Sequence, residues 1–189
     1  MSQTTTDRVR WTTADIELLA NNHGTRYEII DGELFVTRAL HWRHQKTCLK
    51  IGTKLELWSE AKGLGETTIN PGIIFTDADN VIPDVVWASN ERLAVLLDES
   101  GHLTGAPELV VEVLSPGAEQ ERRDREAKLK LYSLRGVQEY WIANSKLKTV
   151  EIYRRENAAL VLVATLTSED EINSPLLPDF ACFVGRFFG

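Results

Sequence analysis

From about His41 to Ala61 the apolar positions follow a helical rhythm. His44, Cys48, Ile51, Leu55 and Trp58 recur at steps of four, three, four and three, which is the buried stripe of one helix. Lys46, Lys50 and Lys54 lie four apart on another side, and Gly63 ends the run. Elsewhere the rhythm shortens to two. Arg26–Ile30 and Glu33–Val36 flank Asp31-Gly32, the signal of a hairpin closed by a type I′ turn. Strand-like runs follow at Glu66–Ile69, Ile73–Phe75 and Val81–Ala88, with 77–80 as a turn.

Thr12 or Thr13 caps a short helix over Thr13–Ala20 that ends near Gly24, and Ser89 caps another through Leu97. A loop over Gly101–Pro107 leads into the strand Glu108–Leu114. Ser115-Pro116-Gly117 breaks that strand. A helix over Ala118–Arg135 follows, with Ala127, Leu131 and Leu134 as its buried edge and Gly136 as its stop. Strands over Gln138–Ala143, Thr149–Arg154 and Ala159–Leu166 come next, and an aromatic tail, Phe180–Phe188, packs back on the body. Helices and strands in this order predict a mixed α/β fold rather than a doubly wound one. The 189 residues read as one domain, 1–189, with 1–11 a flexible tail.

Composition changes this picture little: 43% apolar and 26% charged residues describe an ordinary globular protein. The polar start and the absence of a long apolar run predict a cytoplasmic chain that does not cross a membrane. Cys48 and Cys182 suggest neither a zinc site nor a redox pair. The net charge of −7 argues against a protein that coats nucleic acid indiscriminately. It hides two basic clusters, one with Arg43, Lys46, Lys50 and Lys54, the other with Arg122, Arg123, Arg125, Lys128 and Lys130. Both are expected beside the candidate site, and solvated helix faces are the competing explanation.

The chemistry lies in acids on apolar strands. Asp84 sits in Pro83-Asp84-Val85-Val86-Trp87, and Glu112 in Glu108–Leu114. A carboxylate among valines costs several kcal/mol unless a proton, a cation or a donor compensates it. Alternation puts Asp84 with Val86 on one face, and Glu108, Val110, Glu112 and Leu114 on another. If the two strands are neighbours, Asp84 and Glu112 meet. Such a pair suits a hard cation such as Mg²⁺, which takes one or two carboxylates and leaves room for a phosphate. Asp124, Lys128 and Tyr132 share a helix face, so Lys128 can reach that phosphate or pair with Asp124 or Glu112. Glu28 faces inward beside Ile30 as a further ligand or base, or is an edge-strand acid. His44 is a core histidine or points toward the metal, and Tyr132 is a core aromatic or touches phosphate.

These residues resemble a known family. Tyr27-Glu28-Ile29-Ile30-Asp31-Gly32-Glu33-Leu34, the His44 helix, Pro83-Asp84-Val85-Val86, Glu108–Pro116, Asp124…Lys128…Tyr132 and Gly136–Ile142 together are similar to the Uma-two family, restriction-endonuclease-like proteins of the PD-(D/E)XK nuclease superfamily. The resemblance implies a central mixed β-sheet flanked by helices and a Mg²⁺ or Mn²⁺ ion held by Asp84 and Glu112. Lys128 and Glu28 complete the implied catalytic set, with Lys46, Lys50, Arg123, Tyr132 and His44 toward the substrate. It also implies a nucleic-acid partner, DNA first, and pairing of two copies to cut both strands. The lysine that the superfamily carries two residues after the acid is Leu114 here, and Lys128 matches a lysine thought to fill that space from the following helix. Two functions follow: a metal-dependent endonuclease, or a nuclease fold kept as a binding or interaction module with little turnover.

Overall fold

The computed structural model describes residues 9–19, 24–38 and 41–189. Its centre is a six-stranded sheet in the order β10-β9-β8-β7-β6-β3. The strands are β3 (Gly65–Ile69), β6 (Val85–Ser89), β7 (Leu109–Val113), β8 (Glu139–Asn144), β9 (Thr149–Glu156) and β10 (Ala159–Leu166). β7 and β8 are parallel and every other neighbouring pair in this sheet is antiparallel. A mixed sheet of this kind forces a crossover. The chain leaving β7 must return to the start of β8, and a helix laid across the sheet is the usual way back.

That crossover is helical from Ala118 to Arg135, but it is not one regular helix. It runs as α4 (Ala118–Arg122), a π-helical segment over Arg123–Lys128, and α5 (Leu129–Arg135). The sequence reading expected a plain α-helix here. The Tyr140 hydroxyl donates to the Asp124 backbone carbonyl at 3.0 Å, an alternative partner for a helix oxygen. A widened turn of this sort is rare, and it is frequently found at functional sites. Leu134, expected on the buried edge, is 72% exposed, whereas Leu131 and Tyr132 are buried. The inserted turn shifts the helical phase.

On the opposite face lies α2 (Trp42–Lys62). Its stripe of Cys48, Ile51, Leu55 and Trp58 packs with Val85, Trp87, Val111 and Trp141 and with Phe180, Phe187 and Phe188 from the C-terminal segment. Trp58 meets Trp87 edge to face, ring centroids 5.5 Å apart, and its indole N–H donates to the Pro178 carbonyl. The aromatic tail therefore does pack back, but as a hairpin of β11 (Glu171–Ser174) and β12 (Leu177–Phe183). The sequence showed no alternation clear enough to mark those two strands.

A smaller sheet, in the order β2-β1-β5-β4, closes the other end. It contains β1 (Arg26–Ile30), β2 (Glu33–Thr37), β4 (Ile73–Thr76) and β5 (Asp79–Val81). β1 and β2 pair from Arg26↔Thr37 to Ile30↔Glu33, and Asp31 and Gly32 both take positive φ, 51° and 75°, as the type I′ turn requires. The single strand expected over Val81–Ala88 is two, since Ile82-Pro83-Asp84 interrupts it. Pro83 has no N–H for a ladder, so the chain changes sheets there. Asp84 thus stands just before β6 rather than inside a strand.

The N-terminal helix α1 (Thr13–Leu18) starts at Thr12, whose N–H donates to Asp15 Oδ2 at 2.7 Å. It ends at Leu18, short of the expected Ala20, because Leu19 is already extended; Ala20 and most of the expected tail lie outside the described residues. Trp11 N–H donates to the Gly32 carbonyl. Ser89 caps α3 (Asn90–Leu96) as the sequence indicated, accepting from the Arg92 N–H. Among the described residues no helix is long and apolar enough to cross a membrane.

One position tests the outer edge of the central sheet. A Cβ on Gly65 would lie 2.2 Å from the Ala88 carbonyl oxygen, a backbone atom on the neighbouring strand. Gly65→Ala is expected to lower stability by about 1–3 kcal/mol, read as a lower urea midpoint with an unchanged slope. An unchanged midpoint would show that β3 does not hold this register.

Candidate active site

β6 and β7 are antiparallel neighbours, pairing Val85↔Val111 and Val86↔Val110. The next pair along that register is Asp84 and Glu112, so the condition set by strand alternation is met. Both are buried. They line one small pocket with Arg26, Glu28, His44, Arg123, Asp124 and Lys128.

Four elements converge there. β7 brings Glu112, and the turn after Pro83 brings Asp84, whose Oδ2 accepts the Val113 N–H at 2.9 Å. β1 brings Glu28, whose Oε1 accepts the Ile82 N–H at 2.9 Å. The crossover brings Lys128, whose Nζ lies 2.8 Å from Glu112 Oε1, 2.9 Å from Glu28 Oε1 and 3.9 Å from Asp124 Oδ1. Lys128 is only 1% exposed. A lysine so placed keeps its charge only because three carboxylates surround it. Tyr132, one helical turn further on, donates its hydroxyl to the same Glu112 oxygen at 3.0 Å.

The remaining cations sit around this core. Arg123 Nη1 lies 3.5 Å from Glu28 Oε2, and its Nε 3.2 Å from Asp124 Oδ1. Arg26 Nη1 approaches Asp84 Oδ1 at 3.3 Å, and His44 Nε2 lies 3.1 Å from Asp84 Oδ2. Arg26 was missed in the sequence. It shares a side of β1 with Glu28 by alternation, which is the one local signal that could have found it.

The acids respond differently to the same burial. For Asp84, desolvation favours the neutral form, but the His44 contact and the Val113 N–H outweigh it and hold the carboxyl below its ordinary value. For Glu28, desolvation is likewise overcome, by Lys128, Arg123 and the Ile82 N–H. Glu112 goes the other way. Desolvation and repulsion from Asp84, Asp124 and Glu28 exceed the attraction of Lys128, and its pKa lies well above the usual carboxylate range. Asp124 is also raised, by desolvation that Lys128 and Arg123 only partly offset. Lys128 is held protonated: the three acids outweigh its own desolvation. Four carboxyl groups and three permanent cations line the pocket, and burial together with the crowding of acids is what holds Glu112 in its neutral form.

A contrast on the same sheet shows what a structural acid looks like. Glu139 is equally buried, yet Trp141 Nε1, Arg154 and the Ser174 hydroxyl all donate to it. Its oxygens are used up by neutral and cationic donors.

Of the residues expected to act together, Asp84, Glu112, Lys128, Glu28, His44, Arg123 and Tyr132 meet within this cluster. Lys46 and Lys50 do not. Lys50 Nζ donates to the Phe188 carbonyl at 2.9 Å, and Lys46 is an exposed residue beside Gly189. The first basic cluster therefore serves the C-terminal segment, because the stripe that buries α2 turns its lysines toward the chain end.

With this geometry in view, comparison decides the family. The profile described as "Uma2: Putative restriction endonuclease" matches residues 13–185. The chain belongs to the Uma2 family. Among solved structures, it is similar to a protein from Anabaena variabilis ATCC 29413 titled a "putative nuclease belonging to DUF820", with a TM-score of 0.73. The two are 16% identical over 93% of this chain and 96% of that one, so the likeness is one of fold. No curated protein matches. Membership of Uma2 supports a nuclease-like function, and the central mixed sheet flanked by helices is the fold that the structural relative shares.

Proposed function

We propose that this Uma2 chain is a divalent-metal-dependent endonuclease that hydrolyses DNA phosphodiester bonds. The observation that carries the reading is the convergence of Asp84, Glu112 and Lys128, from three separate elements, in one buried pocket. The donor set fits a hard cation: oxygen ligands from Asp84 and Glu112, in a pocket lined by four acids. Bound there, Mg²⁺ or Mn²⁺ would polarise a phosphoryl oxygen and lower the pKa of a bound water.

The chain's own residues supply the rest. Lys128 stays protonated and offers its ammonium to the charge that gathers on a phosphate during attack. Glu28 is ionised and shares Lys128, so it orients that ammonium and is placed to accept a proton from an attacking water. His44 and Arg26 hold the Asp84 carboxylate in position. Arg123 closes the pocket on the side of the crossover and presents a second cation to the DNA backbone. Leu114, where the superfamily pattern has lysine, is buried with Val110 and Tyr140, while Lys128 reaches Glu112 from the helix. The strand position is therefore vacated without the loss of the cation, which favours an enzyme over a binding module.

Two tests follow. Supercoiled plasmid should be nicked with Mg²⁺ or Mn²⁺ and left intact with EDTA. Absence of cleavage on duplex, single-stranded DNA and RNA alike would leave the binding module as the better reading. Light scattering of the cutting species shows whether two copies pair.

The second test uses the raised Glu112. A carboxyl whose folded pKa is raised holds its proton where a free glutamate has lost it. A cation that takes Glu112 must displace that proton, so affinity should fall as pH falls and binding should release up to about one proton. Calorimetric titration of Mn²⁺ in buffers of different ionisation enthalpy measures the release. A pH-independent affinity with no proton released would exclude Glu112 as a ligand.

A further inference from the structure

The Asp84 carboxylate has a neighbour that the nuclease reading leaves unused. Cys48 stands one helical turn after His44 on α2, and its Sγ lies 3.5 Å from His44 Nδ1. The other ring nitrogen, Nε2, faces Asp84 Oδ2 at 3.1 Å. One donor atom from each of the three residues falls within 4.8 Å of the others, and all three side chains are buried. A histidine and a cysteine at i and i+4 project from the same side of a helix, the spacing by which helices chelate soft metals.

We infer that His44, Cys48 and Asp84 form a second cation site, selective for a thiolate-seeking divalent metal such as Zn²⁺ and overlapping the hard-metal site at Asp84. Tetrahedral zinc bound to sulfur and nitrogen separates the two atoms by about 3.6 Å, close to the 3.5 Å already present between Cys48 and His44. With the ion on the Sγ and Nδ1 side, the Asp84 carboxylate has to leave Nε2 to become the third ligand; its donor atom starts within 4.8 Å of the others, and rotation of the carboxylate brings it in. His44 and Asp84 line the pocket, from which a water would supply the fourth ligand. The thiol proton of Cys48 leaves to solvent as the metal–sulfur bond forms, and no electrons are exchanged. Mg²⁺ is a poor match for a thiolate, whereas Zn²⁺ and Co²⁺ take one readily. The site thus distinguishes metals by softness.

Zn²⁺ at His44 and Cys48 would sit beside the same Asp84 carboxylate as the hard cation, and repulsion between two dications so close disfavours double occupancy. Zn²⁺ at this site therefore withdraws a ligand from the hard-metal site and stops cleavage, a consequence that rests on the nuclease reading although the binding itself does not.

Co²⁺ titration of the full chain, kept reduced with a phosphine, tests the binding by thiolate-to-cobalt absorbance and the visible bands of tetrahedral cobalt. Wild type and Cys182→Ser should both develop these bands at one equivalent, and Zn²⁺ should bleach them. Cys48→Ala and the closer-sized Cys48→Ser should develop none while keeping wild-type circular dichroism. Asp84→Asn, which removes an anionic ligand, should weaken Co²⁺ binding by at least about 10-fold. No bands in wild type at a hundredfold excess of metal, or bands that vanish with Cys182 instead, would overturn the site. Unchanged affinity in Asp84→Asn would overturn the overlap at Asp84. In plasmid nicking with excess Mg²⁺, Zn²⁺ should inhibit wild type and spare Cys48→Ala. A chain that binds Co²⁺ as described but cuts nothing would defeat the nuclease reading and leave this site standing.

Discussion

Glu112→Gln is expected to reduce metal-dependent nicking of supercoiled plasmid by at least about a thousandfold, equivalent to roughly 4 kcal/mol of lost barrier reduction. Gln keeps the shape of Glu112 and its acceptor for the Tyr132 hydroxyl and Lys128, but it cannot supply an anionic oxygen to a cation. Asp84→Asn should match it, since Asn still accepts from the Val113 N–H and also lacks the charge. Thermal melting and circular dichroism separate lost chemistry from lost fold. Nicking that persists at the wild-type rate in both folded variants would place the active site elsewhere.

Lys128→Ala should abolish nicking and also cost the most stability of any change at the site. It leaves Glu28, Glu112 and Asp124 buried together without their shared cation. Removing one member of a buried charged cluster costs about 3–5 kcal/mol, which in a domain of this size lowers Tm by roughly 6–20 °C. The pH dependence has a definite sign. In the wild type, the lowered pKa of Glu28 contributes stability above its unfolded value, lost as pH falls through the folded one. Without Lys128 the carboxyls shift upward, so acid relieves them. The gap in Tm between variant and wild type should therefore narrow from pH 8 to pH 5. Adding Glu28→Gln to Lys128→Ala should recover part of the Tm and none of the activity. A Lys128→Ala protein as stable as wild type at every pH would show that the cluster is not closed as described.

The local features were legible because they depend on near neighbours in the chain. The stripe from His44 to Trp58 needs only the 3.6-residue period, and Asp31-Gly32 needs only two residues with positive φ. Ser89, Gly63 and Gly136 mark helix ends for equally local reasons. Two site acids could be singled out because a carboxylate among valines is costly anywhere. The π-helical turn escaped notice because its partner, the Tyr140 hydroxyl, comes from the next strand. Pro83, a residue without an N–H, already argues against one strand from Val81 to Ala88. His44 and Cys48 stand at i, i+4, a spacing that ordinary core packing along α2 also produces.

By itself, then, the sequence determined most of the elements and their order, the buried stripe of α2, and that Asp84 and Glu112 share a side if their strands are neighbours. Periodicity and turn chemistry carry that much, because they act over a few residues. Only the tertiary structure decided that β6 and β7 are neighbours in that register, and that the β7–β8 crossover lays Lys128 between Glu112 and Glu28. It alone turned Lys50 to the chain end and brought Arg26 and His44 to Asp84. Strand order and crossover path are set by how whole apolar faces close on one another, and a buried charge finds its partner only once those faces have met.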